Sequence, residues 1–464
     1  MGLGHIESMR GVPRDHAGRS ADSTLFDRDA AVGRYRRSRT HTRALFDLLD
    51  EEAYYSRPIA LRHPFVFYDG HLPAFSFNTL CKRALGEAGI DAQLETLFAR
   101  GIDPDESQMA RATGANAWPS RDAVRQFADE ADRRVIAALE HADLVRPGHP
   151  MLERAEAVYT ILEHEAMHQE TLRYLCHRLP LHLKRKSAGY APATGGSSPA
   201  QQWIAIPAGR ARLGVDAGEV PFSWDNERPA FFADVPAFAV ERHDTTNDAF
   251  LEFVEAGGYR EPRWWRPEDF AWLQREGVQC PAFWVQRGGE WQWRSMFEML
   301  PLPRSWPVFV SWAEANAYAR WRGARLPSEG EYHRAAYGSD GGAHRQFPWG
   351  DAPPDIRRGV FDFSGWDPEP AGSHPAGRSA WGVDDLVGNG WEWTSTVFAP
   401  FPGFRPLPSY PEYSADFFDG EHVVLKGASP ATARDLLRPS FRNWFRPRYP
   451  HVYATFRCAR TANA

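Results

Sequence analysis

The distribution of tryptophan divides this chain before any motif is read. Trp118 is the single tryptophan ahead of residue 200, and the other 17 of the 18 fall between Trp203 and Trp444. Indole in that number cannot be left in water, so the second half must build an aromatic core of its own. Between the two regimes runs SAGYAPATGGSSPAQ, Ser187 to Gln201, with the Gly/Ser/Pro/Ala composition of a flexible linker. The expected organisation is a disordered tail over 1–22, a helical domain over 23–186, the linker over 187–201, and a mixed domain over 202–464.

Periodicity gives the two domains different characters. Apolar residues recur at three- and four-residue spacings over roughly 24–50, 63–88, 119–143 and 150–178, which predicts a four-helix bundle. Pro119-Ser120-Arg121-Asp122 and Pro150 are plausible helix starts. After the linker come short β-like runs (WIAIPAG, FAVERHDTT, HVVLKGAS) among many Gly and Pro turns. Helices are expected at Trp312–Trp321 and Ser328–Tyr337, the latter opened by a Ser328/Glu331 capping box. The remainder is expected to be irregular loops packed around Trp and Phe. The fold class is α+β in two domains.

Charge and composition narrow the function. With 54 basic and 60 acidic residues the net charge is −6, so electrostatic capture of nucleic acid is not supported. No run of about 18 apolar residues occurs, so no membrane span and no membrane partner is expected. The first residues lack the apolar core of a secretory signal. Cys81, Cys176, Cys280 and Cys458 are scattered and form no CxxC pair. A reducing, cytoplasmic compartment and an enzyme are the expectation.

The chemistry-bearing motif is His164-Glu165-Ala166-Met167-His168-Gln169-Glu170. Histidines four apart on a helix project from one face, and two neutral imidazoles there can chelate a divalent first-row ion. The string also satisfies HExxH, the zinc-hydrolase pattern, in which Glu165 would sit beside a metal-bound water. The extended form of that pattern fails, since Thr171 and Tyr174 replace its Gly and third His. His71, alone in the aromatic segment Phe65–Phe75, is a candidate third ligand, and His63 competes with it.

Taken together, these motifs resemble a known superfamily. His71 with HExxHQE resembles the DinB-like domain of the ergothioneine and ovothiol sulfoxide synthases. RLPSEGEY (325–332), GNGWEW (388–393), KGAS (426–429), FRNW (441–444) and ATFR (454–457) resemble the formylglycine-generating-enzyme fold that follows in those proteins. The cysteine pair of true formylglycine-generating enzymes is not reproduced by Cys280 and Cys458. Within the superfamily, Arg62–Phe75 and Leu97–Pro104 look most like the selenoneine synthases, the selenium branch, and Asn443–Pro450 resembles ovothiol-type and selenoneine-type enzymes more than mycobacterial ergothioneine synthases. No methyltransferase-like segment follows before residue 464, which disfavours a complete ovothiol enzyme.

That resemblance implies His71, His164 and His168 as ligands of ferrous iron, Fe(2+), with Glu165 and Glu170 as supporting charges. It implies O2-dependent C–Se bond formation between the imidazole of hercynine and a selenosugar such as selenoglucose. Trp444 and Asn443 would bind hercynine, with Phe75 and Met167 beside the metal. Tyr410 and Tyr413 share the loop of a catalytic tyrosine, and the loop aligns to neither alone. Arg446 and Arg448 are candidates for a carboxylate or a sugar hydroxyl. Phe445 stands where mycobacterial enzymes carry an acid, and the loss of that charge fits a donor without an ammonium group. The competing expectations are C–S bond formation from cysteine or γ-glutamylcysteine, an HExxH zinc hydrolase, and a binding module for a quaternary ammonium.

Overall fold

A computed structural model describes residues 26–99 and 118–462. The expected tail at 1–22 and the 100–104 part of the Leu97–Pro104 motif lie outside the described residues. Helix α1 spans Arg28–Phe46, opened by Asp27, whose carboxylate accepts from the Ala30 N–H. Helix α2 spans Phe65–Ser76, contains Pro73, and runs on as a π-helix over Phe77–Ala84. Helix α3 is Ala92–Phe98, α4 is Arg121–His141 with Ser120 as its cap, and α5 is Glu156–Arg178. Helix α5 starts six residues after Pro150, because Arg154 and Ala155 both take left-handed backbone conformations (φ 56° and 57°). Non-glycine residues adopt that geometry at a cost, and the joint redirects the chain into α5.

Helices α1 and α2 each pack against both α4 and α5. Between them lies an apolar core that includes Phe77, Leu80, Val135 and Ile161. A buried polar knot ties three of these helices. Arg39 pairs with Asp132 and Glu165, each at 2.8 Å, while Tyr35 donates to Asp132 and Thr42 to Glu165.

The second domain is built from small sheets. Strands β1 (Trp203–Ile206), β4 (Phe238–Glu241) and β12 (Ala459–Thr461) form one, in the order β1-β4-β12. Strands β2 (Gly209–Leu213) and β3 (Phe231–Val235) pair alone. The central sheet runs β10-β9-β8-β11, from Asn443–Phe445, Val423–Ala428, Gly390–Val397 and Ala454–Thr455. Helices form at Trp312–Trp321 and Glu329–Tyr337, and the Ser328/Glu331 capping box is present. The tryptophan-rich stretch is more regular than expected. Trp284–Arg287, Glu290–Arg294 and Met299–Pro301 make an antiparallel meander, β5-β6-β7, and 247–255 and 267–276 are helical. Gly288 and Gly289, both at positive φ, close the β5–β6 hairpin that a run of Trp and Gln conceals. No helix among the described residues is long and apolar enough to cross a membrane.

The two domains are fused. One apolar cluster runs from Phe46 and Leu172 to Trp293 and Trp391. Residues 187–201 carry no helix or strand, yet they are pinned and not loose. Tyr190 donates to Asp367 at 2.7 Å, and the Trp306 indole N–H donates to the Ala193 carbonyl at 2.8 Å. Across the junction Arg438 bridges Glu163 of α5 and Glu227 of the second domain, with N–O distances of 2.8 Å to each. Removing Arg438 strands two buried carboxylates, so Arg438→Ala should cost about 3–5 kcal/mol. Urea denaturation of the two proteins measures this.

Candidate metal centre

Three imidazoles meet beneath the domain junction. His164 and His168 leave α5 one turn apart, and His71 faces them from α2. Ring centroids are 5.2 Å apart for His71 with each of the others and 4.4 Å within the pair. Their ligand atoms all lie within 4.8 Å of one another, and none of the three residues is more than 5% exposed.

One ring is hydrogen-bonded from behind. His71 Nδ1 lies 2.7 Å from the carbonyl oxygen of Phe98 at the end of α3. A carbonyl only accepts, so Nδ1 carries the proton and the Nε2 lone pair points inward. That Nε2 is buried and has no hydrogen-bond partner. Phe67 stacks on the His71 ring at 4.9 Å, and Phe75 lies flat on His164 at 3.5 Å and 10°. The Nε2 atoms of His164 and His168 face each other at 3.1 Å. Burial, with the neighbouring imidazoles next, holds both rings well below the usual histidine range; burial lowers His71 to about 4. Three buried neutral imidazoles converging on one point, with His71 Nε2 free of any hydrogen bond, suit a divalent first-row cation.

The hydrolase expectation fails here. Glu165, which would have to flank a metal-bound water, turns instead to α1 and is taken by Arg39 and Thr42. Glu170 also leaves the rings, accepting from Trp391 Nε1 (2.8 Å), Ser429 (2.6 Å) and Thr432 (3.0 Å). Neither glutamate orients a histidine N–H; the Phe98 carbonyl does that for His71.

A cavity of about 440 Å³ opens from His164 and His168 toward the second domain, and Tyr410, Tyr413, Asn443, Trp444, Arg446 and Met167 line it. Trp444 is stacked on Phe398 at 4.2 Å. The two tyrosines have different surroundings. Tyr410 lies 5.1 Å from Phe75 and 6.1 Å from His164, ring to ring. Tyr413 stacks on Trp224 at 3.9 Å and gives its hydroxyl to Met167 Sδ at 3.2 Å. Burial, reinforced by Glu412 and Asp416, pushes the Tyr410 phenol up to about 12.

Three expected residues do not line this cavity. Phe75 is behind His164. Phe445 alternates to the other face of β10 and stacks on Tyr449 at 5.3 Å. Arg448 is bound to Asp269 at 2.8 Å. The sequence reading missed the acidic wall of Glu412, Asp416 and Asp419. Spacings of four and three residues in PEYSADFFD were its signal, hidden in a segment that reads as a turn.

A helical domain and a mixed domain enclosing a three-histidine centre at their seam define a two-domain class. Residues 191–462 match the sulfatase-modifying factor enzyme 1-like domain, and 34–172 match the DinB superfamily. The chain belongs to the sulfatase-modifying factor enzyme 1-like family, and the pairing of that domain with a DinB-superfamily domain, together with the relatives below, supports the ergothioneine and ovothiol sulfoxide synthase superfamily. It is 39% identical over 309 residues to a hercynine oxygenase of Mycolicibacterium smegmatis, covering 64% of this chain and 70% of that one. It is 26% identical to ergothioneine biosynthesis protein 1 of Neurospora crassa, covering 89% of this chain and 55% of that one. Among solved structures, PvdO from Pseudomonas aeruginosa aligns with a TM-score of 0.36 at 22% identity, over 56% of this chain and 94% of that one.

Two outcomes follow from the geometry. Cobalt(II) should bind the metal-free protein at one ion per chain, and His71→Ala should weaken it by at least about tenfold to a hundredfold, read by titration of the cobalt d–d bands. The metal-free protein should also lose stability in acid. His41, His71 and His243 are each held near 4 chiefly by burial, whereas the unfolded chain takes up those protons near 6.5. The unfolded state then binds more protons between these values, so stability falls as pH drops from about 6.5 to about 4. Urea midpoints at a series of pH values measure the slope.

Proposed function

We propose that the protein is an iron-dependent, O2-using enzyme that attaches a chalcogen to the imidazole ring of hercynine, its two domains divided at 187–201. In the leading reading the donor is the selenol of a selenosugar such as selenoglucose. The imidazole C–H and the selenol Se–H are lost, a C–Se bond forms, and O2 supplies one oxygen to selenium and one to water. Elimination of the dehydrated sugar from the selenoxide-level adduct would leave a selenenic acid on the imidazole, and two-electron reduction by two equivalents of an external thiol would give selenoneine, water and a disulfide. The observation that carries the reading is the buried three-histidine cluster opening onto a cavity walled by tryptophan, tyrosine, amide and carboxylate.

Ferrous iron held by His71, His164 and His168 would supply the redox chemistry when bound. The chain's own residues do the rest. A trimethylammonium group cannot donate a hydrogen bond, so Trp444 offers it an aromatic face, and Glu412, Asp416 and Asp419 add negative potential. Asn443 and Arg446 offer donors to the substrate carboxylate. The Tyr410 phenol, raised to about 12, keeps its proton at neutral pH beside His164 and can deliver it there. Tyr413, committed to Met167, shapes the wall.

A sulfur donor is the second reading, favoured by the names of the matched relatives, hercynine oxygenase and ergothioneine biosynthesis protein 1. The packing of Phe445 against Tyr449 also removes one reason for preferring a sugar, because position 445 does not face the cavity.

Aerobic incubation of iron-loaded protein with hercynine and either selenoglucose, cysteine or γ-glutamylcysteine, followed by mass spectrometry, separates the readings. A selenium adduct is expected; turnover with the thiols alone transfers the protein to sulfur chemistry. Trp444→Ala should raise KM for hercynine by about five- to thirtyfold, and Tyr410→Phe should lower kcat by about a hundredfold or more.

A further inference from the structure

The turn that carries Tyr410 belongs to the second domain by sequence but is gripped by the first. Leu407 and Tyr410 close it, with the Tyr410 N–H donating to the Leu407 carbonyl at 3.1 Å. Ser409, immediately before Tyr410, is completely buried against α5. Its hydroxyl donates to Glu156 Oε1 at 2.8 Å, and its backbone N–H reaches the same oxygen at 3.2 Å. The Thr160 hydroxyl lies 2.8 Å from the Ser409 oxygen and 2.9 Å from the Glu156 backbone carbonyl, so two hydroxyl protons are shared among three contacts that join Ser409 to α5. Arg83 completes the grip with guanidinium N–H bonds to the carbonyls of Pro408 and Ser409, each at 3.3 Å.

The origin of these groups gives the arrangement its meaning. Glu156 and Thr160 precede His164 by eight and four residues on α5, so all three lie along one side of the same helix. Arg83 sits on the π-helical continuation of α2, the helix that carries His71 and Phe75. The two helices that supply the three imidazoles therefore also hold the backbone on either side of Ser409. A carboxylate accepting two donors in a half-dry setting is a strong anchor. Without it the Thr160 hydroxyl is the polar tie from α5 to Ser409 that remains among the bonds of the described residues.

We propose that Glu156, Thr160 and Arg83 clamp Ser409 and so fix the Tyr410 phenol against His164 and Phe75, which makes these four positioning residues. The inference rests on the reading of the histidine cluster as the reactive centre with Tyr410 as its phenol. Positioning matters because a displacement of about 1 Å can cost on the order of a hundredfold in rate.

The test uses full-length protein and two independent readouts. The first is nitration of Tyr410 by tetranitromethane in the metal-free protein, followed by peptide mass spectrometry, with buried Tyr35 as the internal control. Loss of one buried hydrogen-bonded partner should raise the Tyr410 rate on the order of tenfold to a hundredfold in Ser409→Ala and Glu156→Leu, with Tyr35 unchanged. Glu156→Gln keeps an acceptor oxygen and should restore the parent rate. Should either disruptive variant also expose Tyr35, Thr160→Val, which removes a single hydroxyl, is read in its place. The second readout is kcat with hercynine and the competent donor, expected to fall at least about tenfold while KM for hercynine stays within about twofold. Nitration and kcat both within about twofold of the parent overturn the clamp, as does faster nitration with kcat unchanged. If the parent turns over no donor, the functional reading fails by itself and nitration still decides whether the clamp holds Tyr410.

Discussion

The molecule depends on a polar helix buried from every side. Helix α5 has 18 of its 23 residues buried, and half of those are polar or charged. A surface helix keeps such residues in water, so burying them demands a partner for each. Almost all are answered from another element: Glu163 by Arg438, Glu165 by Arg39, Gln169 by Ser38, Glu170 by Trp391, Arg173 by the Gly365 carbonyl, His177 by the Arg294 carbonyl. His164 and His168 are the exceptions, bonded only to each other, with both Nδ1 atoms unpartnered. Each of those neighbours has a partner on another element, even though Glu165 Oε2 and Arg173 Nε stay unpaired, and the two imidazoles that have none mark where a ligand would sit.

Much of this was legible in the sequence because the signals were local. The HExxH spacing fixes two imidazoles on one helical face whatever the tertiary fold, and Ser328 with Glu331 fixes a helix start by direct hydrogen bonding. Tryptophan marks the domain change because indole must be buried. The β5–β6 hairpin was missed because its strands place bulky residues on both faces, which blurs the alternation that identifies a half-buried strand. Helix α5 was started too early because Pro150 signals a turn of helix, whereas the left-handed pair at Arg154–Ala155 leaves no mark in residue type.

The site was harder to read than the fold, for a geometric reason. Neighbours in sequence such as Trp444 and Phe445 part company on a strand, one toward the cavity and one toward Tyr449. Residues distant in sequence converge on it instead. The carbonyl that sets the tautomer of His71 comes from Phe98, and a backbone oxygen has no residue signature at all. In the acid wall, Glu412 opens a one-turn helix, Glu412–Ala415, that Asp416 caps, and Tyr413 within it stacks on Trp224, almost two hundred residues away.

The placement of the centre explains how a fold can be reused for new chemistry. Cys280 and Cys458 lie outside the cavity, and burial raises both thiols, Cys280 to about 11, so neither is an activated nucleophile. The three-histidine cluster instead sits where two domains meet, and each domain contributes a different part of its surroundings. The helical domain supplies the imidazoles from α2 and α5, the latter tied to α1 by the buried Arg39–Glu165 pair. The second domain supplies the walls from β10 and from the 407–422 segment, in short elements that can change residue without disturbing the rings. Exchanging one donor for another then requires altering only the walls, provided the segment bearing Tyr410 stays tied to the helices. A seam of this kind separates what must remain constant, the spacing of three nitrogens, from what is free to vary, the shape and charge facing them.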